Sequence, residues 1–306
     1  MFAAPPRVEA QVFATIPERF HRLGERSYWG SIQFPNADTP TFLEGPSFDR
    51  DGNLWVVDIP WGRLFKITPA GEVSIGAEYD GEPNGLKFHK DGRGFITCHK
   101  HGIMVMDPAT GKVEPFLERS TLERFKATND LVFARNGDMY FTDQGQTSLA
   151  DPTGRLYRLS AATGKLELLL GNIPSPNGLV LNKAESALFL AVTRANAIWK
   201  IVILPDGSIA KVSTWIQMGG GNGPDGMAID ENDNIAVCHV GFGAVWLFSA
   251  RGEPMLRIDS PKGEMTTNCA YGGRDNRTLF FTESRTGSIL CAEMPVPGRA
   301  MYSHAD

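Results

Sequence analysis

Apolar residues along this chain occur in short runs that end at Gly, Pro, Asp or Asn. Residues 44–73 show the pattern in its simplest form. Apolar runs at 47–49, 53–58 and 63–68 are separated by turn sequences at Asp51-Gly52 and at 60–62. Runs of this length, rich in Val and Trp and bounded by turn residues, predict β-strands. We therefore expect this segment to form a small antiparallel sheet.

The same pattern recurs five more times. We aligned the copies on the turn between the first two strands, and they begin at Glu44, Asn84, Asn129, Asn177, Asp225 and Asn268. The starts lie 40, 45, 48, 48 and 43 residues apart. A repeat of about 40–50 residues with up to four strands per copy is typical of propeller blades. The sequence therefore predicts an all-β fold, a six-bladed β-propeller in one domain spanning residues 1–306.

The two ends of the chain are expected to close this ring. The sixth copy ends near Glu293 with only three strands, and residues 8–15 form a strand candidate without a blade of its own. We predict that residues 8–15 supply the outer strand of blade six, which leaves no large sheet edge unpaired. Residues 17–40 are expected to be a polar connector with a short helix near 17–23. We also predict a helical turn at 120–126 and a loosely ordered tail at 295–306.

Composition narrows the range of partners. The chain carries a net charge of −5 with mixed signs, so no basic surface for nucleic acid is predicted. No apolar run approaches the roughly 18 residues of a membrane span, and no signal peptide is recognisable at the N-terminus. The four cysteines are scattered without metal-ligand spacing, which favours free thiols and a cytoplasmic location. The sequence leaves the oligomeric state open.

The first residue of each copy, which we call the slot residue, carries the candidate chemistry. All six slot residues have a side-chain oxygen. Because the innermost strands of a propeller line its channel, these oxygens should converge at one mouth. A buried oxygen without a partner costs about 1–3 kcal/mol, and a hard cation satisfies several oxygens together. We predict one divalent cation, with Ca²⁺ favoured and Zn²⁺, Mg²⁺ or Mn²⁺ left open. Turn formation by Asn before Gly is the alternative, but it does not require the charges of Glu44 and Asp225.

A second set of residues lies fourteen positions after each slot, where the second strand is expected to return to the same mouth. Of these residues, Asp58, Asp143 and His239 are predicted to add polar groups around the ion or substrate, with Asp143 and His239 as substrate contacts, and capping of nearby backbone amides is the alternative. His99 and His101 have the spacing of a zinc pair, but no third ligand is indicated, so a surface loop is expected. The GxGxxG match that begins at Gly221 lacks the strand and helix of a dinucleotide site.

Four motifs occur in order along most of the chain: EGP at 44–46, TND at 128–130, PNG at 176–178 and GPDG at 223–226. With these motifs the chain resembles the SMP-30/gluconolactonase/LRE-like family. The resemblance implies a six-bladed propeller with a divalent metal in its channel, and metal ligands at Glu44, Asn177 and Asp225. It implies that Asn129 contacts the metal, its water or the substrate, and that Asp130 takes part in catalysis. An arginine and a glutamate that grip sugar hydroxyls have no recognisable equivalent here, and apolar loops at 59–61 and 240–242 favour a less polar lactone.

These observations lead to a functional hypothesis. We expect metal-dependent hydrolysis of a small-molecule lactone to a hydroxy acid, with Asp225 or Asp130 as general base. Asn84 and Asn129 are predicted to bind the substrate together with Asp143 and His239. A propeller that binds a small molecule or partner without catalysis is the main alternative, and a condensation reaction on the same scaffold is a third.

Overall fold

Six sheets of four or five strands surround a central axis in the computed structural model, which describes residues 3–305. Each sheet is one blade of a six-bladed β-propeller, and the predicted fold is confirmed. The strands of blades one to three, from the axis outward, are Leu43–Phe48, Leu54–Asp58, Arg63–Ile67 and Val73–Glu78; Pro83–Phe88, Gly94–Cys98, Gly102–Asp107 and Lys112–Leu117; and Thr128–Phe133, Met139–Asp143, Gly154–Leu159 and Leu166–Ile173.

Blades four to six repeat this arrangement. Their strands are Pro176–Leu181, Ala187–Val192, Ala197–Ile203 and Ile209–Gln217; Gly223–Ile229, Ile235–Val240, Ala244–Phe248 and Pro254–Asp259; and Thr266–Gly272, Thr278–Glu283, Ser288–Glu293 and Gln11–Thr15. Short 3₁₀ turns lie at Glu18–Phe20, Ile59–Trp61, Thr193–Ala195 and Tyr302–His304.

The N-terminal segment closes the ring in two steps. Gln11–Thr15 pairs antiparallel with Ser288–Glu293 as the outer strand of blade six, which confirms the predicted closure. The preceding strand, Arg7–Glu9, runs parallel to Pro254–Asp259 and adds a fifth strand to blade five. The predicted strand at 8–15 is therefore divided at Ala10, whose side chain is buried in the hydrophobic cluster between blades five and six.

The connector at 17–40 is less polar than predicted. It contains helix α1 (Tyr28–Gln33), which begins at Ser27, and the Ser27 hydroxyl accepts a hydrogen bond from the Gly30 amide at 3.0 Å. An N-cap of this kind satisfies one of the amides left unpaired at the start of a helix. The Trp29 ring packs against Phe42 with ring centroids 5.0 Å apart, which holds α1 against blade one. The helix predicted near 17–23 is only the 3₁₀ turn Glu18–Phe20.

Two other local predictions differ from the structure. At 120–126 the chain forms a two-residue ladder between Arg119–Ser120 and Glu123–Arg124, so the predicted helical turn is wrong. The C-terminal tail is not loose: the Tyr302 ring stacks on Phe133 in blade three, and Arg299 donates a 2.7 Å hydrogen bond to the carbonyl of Leu181 in blade four. The tail thus lies across the far end of the channel. Its last residue, Asp306, lies outside the described residues.

The hydrophobic core is divided among the blade interfaces. Each of the six apolar clusters in residues 3–305 contains side chains from two neighbouring blades. All four cysteines are free, and three of them are buried in this core. In the same described range, no helix is long and apolar enough to cross a membrane. Because the core lies between the blades, the channel remains available for polar side chains.

Candidate metal centre at the channel mouth

The six slot residues lie at the same irregularity of their sheets. In every blade the ladder between the first and second strands shifts register across the slot, as between Glu44 and Ser47 in blade one or Pro224 and Met227 in blade five. A β-bulge of this kind bends the strand and re-aims a side chain. The repeated bulge therefore gives all six blades the same means of turning one side chain out of the ladder.

Five slot residues line one cavity of about 220 Å³ at the mouth of the channel. They are Glu44, Asn84, Asn129, Asn177 and Asp225. The sixth, Asn268, lies directly beside them, because its amide nitrogen donates a 2.9 Å hydrogen bond to Oε2 of Glu44. The structure thus brings together the slot residues that the sequence predicted to converge.

Asp130 joins this group from the position after a slot, where four other blades have glycine. Those glycines are needed because the inner strands approach closely: a Cβ added to Gly226 would lie 2.1 Å from Oδ1 of Asn268. In blade three the position carries a carboxylate instead. Asn268 Nδ2 lies 3.4 Å from Oδ2 of Asp130, so one amide is shared between Asp130 and Glu44.

The three carboxylates of Glu44, Asp130 and Asp225 have no ion-pair partner among the described residues. Burial and the neighbouring Asp130 raise the pKa of Asp225 to about 8, and the charge of Arg194 at the same mouth acts in the opposite direction. Burial and the charge of Asp225 raise the pKa of Glu44 well above its usual value, and burial also raises the pKa of Asp130. Without a cation, this mouth therefore disfavours the ionised form of all three carboxyl groups.

Two amide oxygens at the same mouth are also unsatisfied. Oδ1 of Asn84 and Oδ1 of Asn129 are buried and have no hydrogen-bond partner in the described part of the chain. Their nitrogens are engaged: Nδ2 of Asn84 lies 2.8 Å from Nε2 of His99, and Nδ2 of Asn129 donates to Oε1 of Gln144 at 3.1 Å. Ca²⁺ takes six to eight oxygens from carboxylates and amides, so this donor set fits such an ion. No group of three or more His, Cys, Asp or Glu side chains within residues 3–305 is arranged to hold a metal, so amide oxygens would have to contribute.

Threonine hydroxyls fix the slot residues relative to one another. Thr142 in blade three accepts a 3.0 Å hydrogen bond from the amide of Asp130 and donates a 2.9 Å bond to the carbonyl of Asn177 in blade four. Thr97 in blade two makes the equivalent contacts with Gly85 and with the carbonyl of Asn129. Each hydroxyl therefore ties one inner strand to the next, which holds the ring of oxygens in place.

Asp143 and His239, predicted as substrate contacts, lie elsewhere. Asp143 is fully buried, forms an ion pair with Arg155 at 2.6 Å and caps the backbone amide of Ala127. His239 bonds the carbonyl of Gly220 at 2.9 Å, stacks on Phe242 and lines a different cavity between blades four and five. This placement corrects the prediction, and the capping alternative describes Asp143.

The reason is a one-residue error in position. Successive side chains of a strand face opposite sides, so a step of one residue exchanges the two faces. The residues fifteen positions after the slot, not fourteen, line the mouth in four blades; they are Ile59, His99, Gln144 and Val240. The residues fourteen positions after the slot lie on the face of the second strand that points away from the mouth.

His99 is the clearest functional candidate that the sequence reasoning missed. A surface loop is predicted here, and His101 is half-buried and bonded to the carbonyl of Asp80. His99 instead lines the mouth beside Asn84, where burial lowers the pKa of its imidazole to about 4 and keeps the ring neutral. Its signal in the sequence was its position, which is the same as that of Gln144 in the next blade.

One part of the cavity wall is apolar. It is formed by Trp29 of α1 together with Phe34, Phe42, Ile59 and Val240, whereas Gln33, Arg194 and Asn222 bring polar groups to the rest of the lining. Trp29 is buried, and its indole nitrogen has no hydrogen-bond partner within residues 3–305. The mouth therefore combines the polar slot residues with an apolar patch made in part by the connector, which the sequence predicts to be polar.

A six-bladed propeller with carboxylate and amide oxygens gathered at one mouth defines a class of protein with a binding site on the propeller axis. The model of the SMP-30/gluconolactonase/LRE-like region matches residues 42–285, and the chain belongs to this family. The chain is 32% identical over 276 residues to lactonase drp35 of Staphylococcus epidermidis, covering 83% of each protein.

Solved structures share the fold. Regucalcin from Agrobacterium tumefaciens, described as a calcium-binding protein, superposes with a TM-score of 0.78 at 21% identity, covering 100% of both chains. A gluconolactonase from Xanthomonas campestris gives a TM-score of 0.73 at 22% identity, covering 83% of this chain and 86% of the other. At these identities the likeness establishes the six-bladed architecture alone.

Proposed function

We propose that this protein hydrolyses a lactone with the help of one divalent cation, with Ca²⁺ favoured. Glu44, Asn177 and Asp225 would hold the ion, and Asn129 would contact the ion, its water or the substrate. The observation that carries the proposal is the combination of three buried carboxylates, none held in an ion pair within residues 3–305, with two orphaned amide oxygens at one mouth. The similarity to lactonase drp35 supports a lactone as the substrate.

The side chains around the cavity divide the chemistry between them. A bound divalent ion would supply Lewis acidity to the lactone carbonyl and acidity to a water molecule. Asp130 accepts a proton from the attacking water and returns it to the ring oxygen when the carbon–oxygen bond of the ring breaks. Asp225 is the poorer base in this scheme, because its carboxylate is engaged as a ligand. The product is a hydroxy acid, and the atoms of water are divided between its carboxyl and hydroxyl groups.

The apolar part of the cavity wall indicates the kind of lactone. Trp29, Phe34 and Ile59 offer rings and methyl groups to the part of the substrate that lies away from the ester. Hydroxyl groups of a sugar lactone that faced this patch would lack partners, which is unfavourable, because Gln33, Arg194 and Asn222 belong to the rest of the lining. We therefore infer a lactone with an apolar or aromatic body rather than a polyhydroxylated one.

The test is a panel of lactones that compares aromatic, aliphatic and sugar lactones by acid release. EDTA-treated protein is assayed alone and after addition of Ca²⁺, Mg²⁺, Mn²⁺ or Zn²⁺. We expect no hydrolysis without metal, recovery with Ca²⁺, and preference for apolar lactones. Hydrolysis that persists in EDTA would contradict the metal requirement. A panel without any hydrolysed lactone would favour a propeller that only binds its ligand.

A further inference from the structure

The two orphaned oxygens at the mouth have a common structural cause. Asn84 and Asn129 each direct the amide nitrogen toward the residue fifteen positions later in the same blade, His99 and Gln144 respectively. We call His99 and Gln144 the brace residues. An asparagine side chain donates at one end and accepts at the other, so the partner of its nitrogen decides where its oxygen points.

The brace at Gln144 is itself fixed. Its Nε2 donates a 2.9 Å hydrogen bond to the hydroxyl of Ser175, which leaves Oε1 to accept from Asn129 at 3.1 Å. In blade two, Nε2 of His99 lies 2.8 Å from Nδ2 of Asn84, and a neutral imidazole has one nitrogen that can accept this bond. With both nitrogens bound, Oδ1 of Asn84 and Oδ1 of Asn129 are the atoms left over.

The other slots of the ring need no brace. Glu44 and Asp225 are carboxylates, whose two oxygens both accept. Asn268 donates its amide to Glu44, and Asn177 donates its amide to Asp225. The position fifteen residues after these four slots has no comparable role. Ile59, Val192 and Val240 cannot accept a hydrogen bond, and the Glu283 carboxylate accepts from the amide of Met265. Braces therefore occur in the two blades whose slot amide has no carboxylate to hold it.

We propose that His99 and Gln144 are positioning residues that keep the oxygens of Asn84 and Asn129 turned toward the cavity, where they accept from a cation or its bound water. This inference rests on the metal-binding part of the proposed function. Without a brace the amide is free to turn over, and its NH₂ group then presents positive charge to the ion. Residues that orient metal ligands in this way typically change metal affinity by about 10–100-fold.

The test is calcium titration of EDTA-treated protein by calorimetry. Gln144→Met and His99→Phe keep the size of each side chain but remove the acceptor, so each is expected to weaken calcium binding by about 10–100-fold. Gln144→Glu is the matched control, because its carboxylate still accepts from Nδ2 of Asn129. Its affinity should remain at or above that of the natural protein. Glu44→Gln serves as the reference for a lost ligand.

The outcomes separate this inference from the proposed function. Natural affinity in both Gln144→Met and His99→Phe, with weakened binding in Glu44→Gln, would overturn the positioning role alone. Affinity unchanged in Glu44→Gln would overturn the ligand assignment and the inference together. If Gln144→Glu binds calcium as weakly as Gln144→Met does, Gln144 acts through packing and the inference fails. Melting curves recorded without calcium check that each variant folds. If one of Gln144→Met and His99→Phe does not fold, the calcium affinity of the other is sufficient to test the positioning role.

Discussion

This propeller buries carboxylates in two contrasting ways. At the C-terminal ends of the second strands, Asp58 and Asp143 are fully buried, but each is bonded to an arginine, Arg63 at 2.5 Å and Arg155 at 2.6 Å. At the channel mouth, Glu44 and Asp225 are also buried, but no arginine or lysine within residues 3–305 is bonded to them. Burial of charge is costly unless it is paired. The first group is therefore paired within the chain. In the second group, the charges of Arg194 and Lys87 lower the pKa values of Asp225 and Asp130 without forming an ion pair, which leaves room for a cation.

The contrast also separates structure from function. Asp58 joins its arginine to the hydroxyl of Thr41 and the amide of Phe42, which fixes the chain just before slot Glu44. The same role belongs to Asp143 at the amide of Ala127, two residues before slot Asn129. The paired carboxylates thus hold the strands that present the unpaired ones. Variants of the paired carboxylates should therefore lose stability, whereas variants of the unpaired carboxylates should lose activity.

The largest effect is expected at the carboxylates that are paired with an arginine. Arg63→Met leaves Asp58 buried without its cation, and we expect a loss of about 3–5 kcal/mol in the free energy of unfolding. Denaturant titration measures this loss. The double variant Asp58→Asn/Arg63→Met removes both charges and keeps an oxygen for the amide of Phe42, so it should regain part of the stability. Natural stability in the single variant would show that the two groups of carboxylates are not different in kind.

On the unpaired side, the loss should be in turnover rather than stability. Asp130→Asn keeps the size of the side chain but removes the proposed base, and we expect kcat to fall by about 100–10,000-fold. Calorimetric titration should show calcium binding close to that of the natural protein. Asp275→Asn, at an exposed ion pair, is the control for loss of one carboxylate elsewhere. Retained turnover in Asp130→Asn would remove Asp130 from the chemistry.

The third prediction concerns stability without metal as a function of pH. The folded-state pKa of Asp225, about 8, is higher than that of an unfolded aspartate, so the folded state binds the extra proton. Metal-free protein should therefore lose stability as pH rises from about 4 to about 8, by up to about 1.4 kcal/mol per pH unit from this group. Asp225→Asn should lack this contribution and melt higher than the natural protein at pH 8. If the stability of the natural protein and that of the variant change with pH in the same way, the raised pKa of Asp225 is contradicted.

The smallest effect is expected at the uncharged wall of the same cavity. Trp29→Ala removes apolar surface from the proposed substrate pocket, and we expect KM for an aromatic lactone to rise by roughly 10-fold with a smaller change in kcat. Steady-state kinetics on one aromatic and one small aliphatic lactone measure the difference. An equal change for both lactones would show that Trp29 supports the fold of α1 rather than the recognition of an apolar body.

The sequence was sufficient for the repeated part of this molecule. Six copies of one strand pattern predicted the blades, and the equivalent slots predicted which oxygens meet, because equivalent positions of a propeller must face the same axis. Prediction failed where no repeat constrained it. Helix α1 occurs once, and the C-terminal tail depends on contacts such as Tyr302 with Phe133 that cross many blades. The local sequence of neither segment predicts which distant residues it contacts.

Within the site, the predictions that failed were wrong by a single residue position. The prediction for Asp143 and His239 rests on the position fourteen residues after the slot facing the mouth, whereas in the structure the residue fifteen positions after the slot faces it. The bulge at each slot causes this difficulty, since an extra residue in one strand changes the alternation of faces that a sequence pattern assumes. His99 and Gln144 were therefore overlooked, although the repeat places them in equivalent positions.

The most direct test of the central claim is a crystal structure of the protein grown with calcium. We predict one ion at the channel mouth, bonded to side-chain oxygens of Glu44, Asn177 and Asp225, with Oδ1 of Asn129 facing the ion or its water. A structure in which calcium lies elsewhere, and these three side chains point away from a common centre, would contradict the account.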